Sequence, residues 1–348
     1  MSLNTWKMIN DAVVICNPKT GEPTPLIHSV IVKSDLSYKY WDYLAWSAAS
    51  INNSDVLALG YGAGTFAQLL HKWGITTKGI GIEIDESLKE LHSLFNDYKV
   101  HYCDFRDGVK KLNTKFDTIL IDVYDEKGYV DDAYDTEWIK IFLSLRKEKG
   151  RVVFHCMDLT GSFLAAGIPL PSIPSVLATM LKRIRSVTNE NIYVVPLWSS
   201  YLLWIGEPPQ KIKSSILPVQ WVDLFFHSRM MPIETIDVNK LEAFSRPWTY
   251  ERLEENNKSL LFELNRRAPF LLSKFNHLVQ IMEPALQRNS TVQELETIIK
   301  TLSSSLSEND DVSSNHALSF LYAMIRNWSE AFRVLSKQKL EFPGWFFE

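Results

Sequence analysis

The chain has 348 residues, of which 46% are hydrophobic and 22% charged, a globular composition with length for about two domains of roughly 150 residues each. A formal net charge of -4 gives no global attraction to phosphate backbones or anionic lipid, so neither nucleic acid nor membrane is favoured as a partner. Cys16, Cys103 and Cys156 are far apart and odd in number, which speaks against a disulfide framework or a zinc ribbon and makes the reducing cytoplasm the default setting, with no metal expected.

The amino end carries no basic segment followed by an apolar one, and no run approaches the roughly 20 apolar residues that cross a bilayer. Two β-rich runs, Val13–Cys16 and His28–Val32, flank the turn-forming stretch Asn17–Pro23 and predict a small N-terminal hairpin over residues 1–35. Tyr40, Tyr43, Leu44 and Ala48 recur at helical spacing in a helix from about Leu36. Strands and helices then alternate: Val56–Leu59, helix Thr65–Trp73, Gly79–Glu83, helix Glu86–Phe95, Val100–Cys103, Phe116–Ile121, helix Thr136–Leu145 and Arg151–His155. Such alternation predicts a doubly wound α/β domain, Rossmann-like, with a mostly parallel sheet covered on both faces.

A helix at Ser175–Ile184 precedes Ile192–Val195 and Tyr201–Ile205, which are too close in the chain for a parallel crossover and so predict a terminal antiparallel pair. Gly206-Glu207-Pro208-Pro209 marks a boundary, placing the central domain at 36–209 and an α-helical C-terminal region at 210–348. Helices are expected there at Leu241–Phe244, Tyr250–Leu264, Pro269–Met282, Val292–Leu306 and Ala317–Leu335, with an exposed polar loop at Ser303–Ser314 and a docked aromatic tail at Phe342–Phe347. Residues Asn315–Lys339 are faintly like a tetratricopeptide unit, but no period supports an array. A cap or a homodimer surface is the expected role of this region.

In an open parallel sheet, ligands bind where strands stop, near the point at which strand order reverses. The first predicted strand stops at Gly60-Tyr61-Gly62-Ala63-Gly64, where missing side chains let backbone turn sharply and approach a ligand. The second stops at Glu83-Ile84-Asp85, whose carboxylate suits a ribose diol. Thr65 stands where a dinucleotide fingerprint has glycine or alanine, and no Gly-Lys-Ser/Thr follows, which excludes a P-loop. The third stops at Cys103-Asp104-Phe105, offering a carboxylate to an adenine amino group and a ring beside the base. The fourth stops at Asp122-Val123-Tyr124-Asp125. Taken singly, each of these carboxylates reads equally as a helix cap or a solvated loop residue.

From the hairpin to about Gly206 these residues resemble the spermidine synthases and related aminopropyltransferases, which share the Rossmann-like S-adenosylmethionine methyltransferase fold. Asp122-x-x-Asp125-x-x-Gly128-x5-Tyr134-x-x-Glu137-Trp138 looks like the family's D-S-S-D-P-x-G segment and the helix start after it. Tyr40-Trp41-Asp42-Tyr43 looks like its Y-H-E segment, and Pro196-Leu197-Trp198-Ser199-Ser200 like P-T-Y-P-S. The resemblance implies a sulfonium donor, S-adenosylmethionine or its decarboxylated form, held by Gly60, Gly62, Ala63, Gly64, Glu83, Asp104, Phe105 and Asp122. It also implies Asp122 and Asp125 beside the attacking amine, with Tyr40, Asp42, Tyr124 and Trp198 at a small-molecule amine or similar acceptor.

Two departures bear on the reaction. Ala63 stands where the family's G-G-G-D-G loop has an aspartate for the aminopropyl ammonium, which removes a repulsion against the carboxylate of the intact donor and tips the expectation toward methyl transfer. Trp41-Asp42 and Trp198 replace His-Glu and Tyr, giving a larger, less polar acceptor pocket. The expected function is thus methyl transfer to a nucleophile oriented by Asp125. The alternatives are aminopropyl transfer to a polyamine and a catalytically degenerate scaffold acting through its helical region.

Overall fold

A computed structural model describes residues 6–17, 19–51, 54–92, 98–198, 200–233, 241–245, 248–286, 290–306, 312–336 and 338–340. Three antiparallel strands open the chain, β1 (Trp6–Ile9), β2 (Ala12–Cys16) and β3 (Pro23–Val30). The sequence predicts only the second hairpin. The first is made by Asn10 and Asp11, both at positive φ (47° and 66°), the two-residue turn whose twist matches paired strands.

There follow α1 (Tyr40–Ala49), β4 (Asp55–Leu59), α2 (Thr65–Lys72), β5 (Lys78–Glu83), α3 (Lys89–His92), β6 (Tyr98–Tyr102), α4 (Phe105–Lys110) and β7 (Phe116–Ile121). Next come a short hairpin of β8 (Tyr124–Asp125) and β9 (Gly128–Tyr129), then α5 (Thr136–Leu145), β10 (Arg146–Cys156), α6 (Leu159–Ala165), α7 (Val176–Arg185), β11 (Ile192–Pro196) and β12 (Tyr201–Gly206). The remainder is α8 (Leu217–Arg229), β13 (Met231–Pro232), α9 (Tyr250–Arg267), α10 (Pro269–Leu286), α11 (Val292–Ser305), α12 (Val312–Met324) and α13 (Trp328–Leu335).

The main sheet has the order β13-β11-β12-β10-β7-β4-β5-β6. Strand β4 pairs in parallel with β5 on one side and β7 on the other, β5 pairs in parallel with β6, and β11 and β12 pair antiparallel. The chain therefore moves outward from β4 through β5 to β6 and then returns to add β7 on β4's other edge. The order reverses there, so the loops after β4 and β7 form the crevice such a sheet offers a ligand. Val56 to Leu59 and Ile119 to Ile121 are almost fully buried, the unbroken apolar runs of strands covered on both faces.

Some helices differ from expectation. Helix α1 starts at Tyr40 rather than near Leu36 because Tyr38 is left-handed (φ 55°). Leu241–Phe244 is not helical: Ala243 bridges Ser175, and the Phe244 N–H donates to Thr179 Oγ1 at 2.9 Å. The Ala317–Leu335 helix is two, divided at Arg326 (φ 60°), with Asn327 capping α13. Ser303–Ser305 close α11 and Val312–Ser314 open α12, with Ser313 buried, so those parts of the predicted polar loop are helical. Residues 307–311, the end of the predicted Glu86–Phe95 helix and the aromatic tail lie outside the described residues.

Two compact units make up the chain, one of residues 1–123, 142–153 and 209–212, the other of 124–141, 154–208 and 213–348. In the first, the N-terminal sheet is joined to the start of α2: Thr65 Oγ1 accepts the Val30 N–H (3.1 Å) and donates to the Val30 carbonyl (2.8 Å), and Gln68 Oε1 accepts the Val32 N–H (2.9 Å). In the second, the late segment Trp248–Tyr250 pairs with β9 and its turn, since the Tyr129 N–H donates to the Trp248 carbonyl and the Tyr250 N–H to that of Lys127.

Candidate functional site

The Gly60–Gly64 loop leaves β4 through three left-handed glycines (φ 74°, 57° and 71°). A Cβ on Gly60 would stand 2.0 Å from the Asp122 carbonyl oxygen, so glycine is required where the loops after β4 and β7 meet. Every backbone N–H from Gly60 to Gly64 has an acceptor inside the protein. Gly60 and Tyr61 donate to the Ile82 carbonyl (3.0 and 3.1 Å), Gly62 to Glu83 Oε2 (2.7 Å), Ala63 to Ser29 Oγ (2.8 Å) and Gly64 to the Tyr61 carbonyl (3.0 Å). A loop that cradles phosphate does so with unengaged amides, and this one has none to give.

Glu83, at the end of β5, is buried, and its two oxygens accept the N–H groups of Gly62 and Asp85 (2.7 and 2.9 Å). Each oxygen keeps a second lone pair, the acceptor set that two vicinal hydroxyls need. Next to it Ile84 is 72% exposed, an apolar side chain at a strand's carboxyl end suited to lie against a flat base. The sequence reading missed Ile84; its signal was an aliphatic residue between two carboxylates at a strand end.

Asp104 caps α4, its Oδ1 accepting the Arg106 N–H (2.8 Å) and its Oδ2 pairing with Arg106 Nη1 (2.6 Å). Phe105 is buried, with the Arg106 guanidinium 4.9 Å from its ring centre. Asp122, half-buried, continues the ladder past β7 with its N–H on the Leu59 carbonyl (3.0 Å). The loop glycines, Glu83, Asp104, Phe105 and Asp122 thus all stand at the carboxyl ends of β4 to β7 in the first unit.

Ala63 is fully buried. Its methyl packs with Val13 and Leu88, against which Trp6, Ile31 and Leu91 are laid, and its carbonyl accepts from Gln68 Nε2 at 2.9 Å. An aspartate at this position would bury its carboxylate among apolar side chains. Also in this unit, Tyr40 stacks obliquely on Trp41 (4.5 Å). Asp42 is buried and holds the turn into α1, accepting from the Ser37 N–H and hydroxyl (2.8 Å each) and the Tyr38 N–H (2.7 Å). Burial pushes its carboxyl up to about 7 against those hydrogen bonds.

The other expected acceptor residues belong to the second unit. Asp125 is exposed at the β8–β9 turn, where its Oδ1 accepts the Lys127 N–H (2.8 Å). Tyr124 is half-buried, donates to the His155 carbonyl (2.7 Å) and packs on Tyr129 (4.7 Å). Of the acidic segment, Asp131 faces Arg183 (3.4 Å), while Asp135 accepts the Trp138 N–H (2.9 Å) in the first turn of α5. Trp198 lies under the guanidinium of the buried Arg229 (5.9 Å), whose Nε donates to the Pro196 carbonyl (3.0 Å). Asp158 in this unit is buried as the cap of α6, accepts the N–H groups of Thr160 and Val176 (3.0 Å each) and is pushed by burial up to about 6. Among the described residues no group of three or more His, Cys, Asp or Glu is placed to hold a metal ion, and no helix is long and apolar enough to cross a membrane.

No protein-family model and no curated protein matches the chain. Solved structures do. It is 16% identical to a probable spermidine synthase from Corynebacterium glutamicum, covering 69% of this chain and 90% of that one at a TM-score of 0.46. A spermidine synthase bound to the transition-state analogue AdoDATO matches at 15% identity, 61% and 80% coverage and a TM-score of 0.42. Human methyltransferase-like protein 13 with SAH matches at 16%, 52% and 86%, with a TM-score of 0.38. Likeness at this level settles nothing about chemistry. The strand order, the reversal at β4 and the parallel pairing about it stand without it, and by them the chain has a Rossmann-like, doubly wound α/β fold.

Proposed function

We propose that the chain is a group transferase using an S-adenosylmethionine-type donor, and that it transfers a methyl group to an amine or similar nucleophile. The observation that carries this reading is the internal pairing of every loop amide beside a buried carboxylate. A pyrophosphate would find no free N–H there, whereas a cationic nucleoside with a free ribose diol needs carboxylate and carbonyl oxygens instead. Glu83 would take the diol, Ile84 and Phe105 would flank the base, and Asp104 would accept from the base amino group after turning from Arg106. The donor supplies an electrophilic carbon whose leaving group is a neutral thioether, so no acid assistance is required.

The chain's own task is to orient the acceptor and remove its proton, because an ammonium has no lone pair to attack with. Asp125 is exposed at its turn and is assigned that proton; the acidic run from Asp122 to Asp135 favours a cationic amine. Methyl transfer is preferred over aminopropyl transfer because the loop has alanine at position 63, within an apolar cluster, in place of a carboxylate for an aminopropyl ammonium. A second reading, a donor-free scaffold, is favoured by the Asp104–Arg106 pair, which engages a carboxylate the donor needs.

Calorimetric titration with S-adenosylmethionine and its decarboxylated form separates these readings. Tighter binding of the intact donor is expected. Markedly tighter binding of the decarboxylated one would overturn methyl transfer, and no heat with either would leave the scaffold.

A further inference from the structure

We propose that His92 is a positioning residue for the donor loop, acting on Glu83 by fixing the backbone angles of Gly62; the inference rests on the reading of Glu83 as the residue that meets the donor. Four hydrogen-bonding groups are linked in series. The Tyr102 hydroxyl lies 2.7 Å from His92 Nδ1, His92 Nε2 lies 2.5 Å from the Gly62 carbonyl oxygen, and the Gly62 N–H donates to Glu83 Oε2 at 2.7 Å. A carbonyl only accepts, so Nε2 carries the proton. With the ring neutral, Nδ1 accepts from the tyrosine, and the Nε2–H tautomer is the one this arrangement requires.

Gly62 is thereby held on both sides of its Cα: His92 and Ser29 hold the 62–63 peptide plane by its carbonyl and its N–H, and Glu83 holds the 61–62 plane by the Gly62 N–H. It needs gripping, because Gly62 sits in the left-handed region (φ 57°) with no side chain to restrict it. If φ and ψ at Gly62 turn, the two planes swing apart, the Gly62 N–H leaves Glu83, and the carboxylate loses one of the two backbone donors that aim it. Packing alone does not call for an imidazole here. The ring is buried edge-on to Tyr61 (5.1 Å) and stacked on Tyr102 (5.7 Å), surroundings that an aliphatic side chain fills as well.

The test has two parts on the full chain. Long-range proton–nitrogen NMR of the ligand-free protein is expected to show His92 as the neutral Nε2–H tautomer, and Tyr102→Phe to shift it toward a mixture; the Nδ1–H tautomer in the wild type overturns the relay. In calorimetric titration with S-adenosylhomocysteine, His92→Gln, whose amide nitrogen reaches the same carbonyl, is expected to bind within about threefold of wild type, and His92→Leu about tenfold more weakly. Wild-type affinity in His92→Leu, or equal weakness in both variants, overturns the positioning role. Should the wild type itself not bind, the donor reading of Glu83 falls and this inference with it, while the tautomer still decides whether the relay exists.

Discussion

Asp42 accepts hydrogen bonds from Ser37 and Tyr38 in the turn before α1, yet burial holds its carboxyl up at about 7, and Asp158 is held at about 6. Unfolded, both titrate near the usual ~3.9. Between about pH 4 and 7 the folded chain therefore binds more protons than the unfolded one, so the stability these groups contribute is complete below that window and is lost as pH rises through it. Their contribution to urea unfolding midpoints is expected to decline from pH 5 to pH 7, against a rise from His316, which burial holds down at about 3. In Asp42→Asn that decline is expected to be shallower, on a baseline lowered by about 1–3 kcal/mol because the new amide faces the Tyr38 N–H; a midpoint that rises with pH by the same amount in both proteins contradicts the assignment. At this scale the sequence shows which residue types stand at strand ends but not which partners they take. Asp104 caps α4 and pairs with Arg106 two positions away, a relation that residue spacing permits and only the folded backbone selects.

The alternation of strands and helices from β4 to β10 was legible because buried parallel strands read as apolar runs. Elements fixed by tertiary contact were not. Strand β1 depends on a two-residue turn, and the Leu241–Phe244 stretch exchanges helical bonds for pairing with Ser175 and Thr179. The role of the N-terminal sheet was equally hidden, since a serine without a motif around it reaches the glycine loop: Ser29 Oγ accepts the buried Ala63 N–H at 2.8 Å. Ser29→Ala leaves that N–H without an acceptor, an expected cost of about 1–3 kcal/mol. Faster hydrogen exchange at the Ala63 amide, with lower unfolding stability, checks this; unchanged exchange would show that the sheet does not hold the loop. The same sheet supplies the apolar cluster around Ala63, in which a carboxylate at that position would be buried.

Across the whole molecule, the sequence places a boundary near Pro209, and residues 124–141 and 154–208 lie in one compact unit with residues 213–348. Arg229 donates to the Pro196 carbonyl, β13 pairs with β11, Asn257 Oδ1 accepts the Leu159 N–H at 2.9 Å, and Trp248–Tyr250 pairs with β9. A chain ended at residue 209 would leave these groups unpaired, take Met231 from beside Val194 and strip from the buried Phe163 the Phe275 ring that meets it edge-on at 4.9 Å. Such a fragment is expected to be degraded rapidly by trypsin, where the full chain resists; a protease-resistant, cooperatively unfolding fragment would show that the helical region is separable.

The central claim is that the reversal at β4 holds a nucleoside without phosphate, through Glu83 and a loop with no free amides. Its most direct test is parallel calorimetric titration with S-adenosylhomocysteine and NAD, in wild type and Glu83→Ala. Saturable binding of the first alone, weakened at least about tenfold in Glu83→Ala, is the predicted result. Binding of NAD in preference, or S-adenosylhomocysteine binding unaffected by loss of the Glu83 carboxylate, would contradict the account.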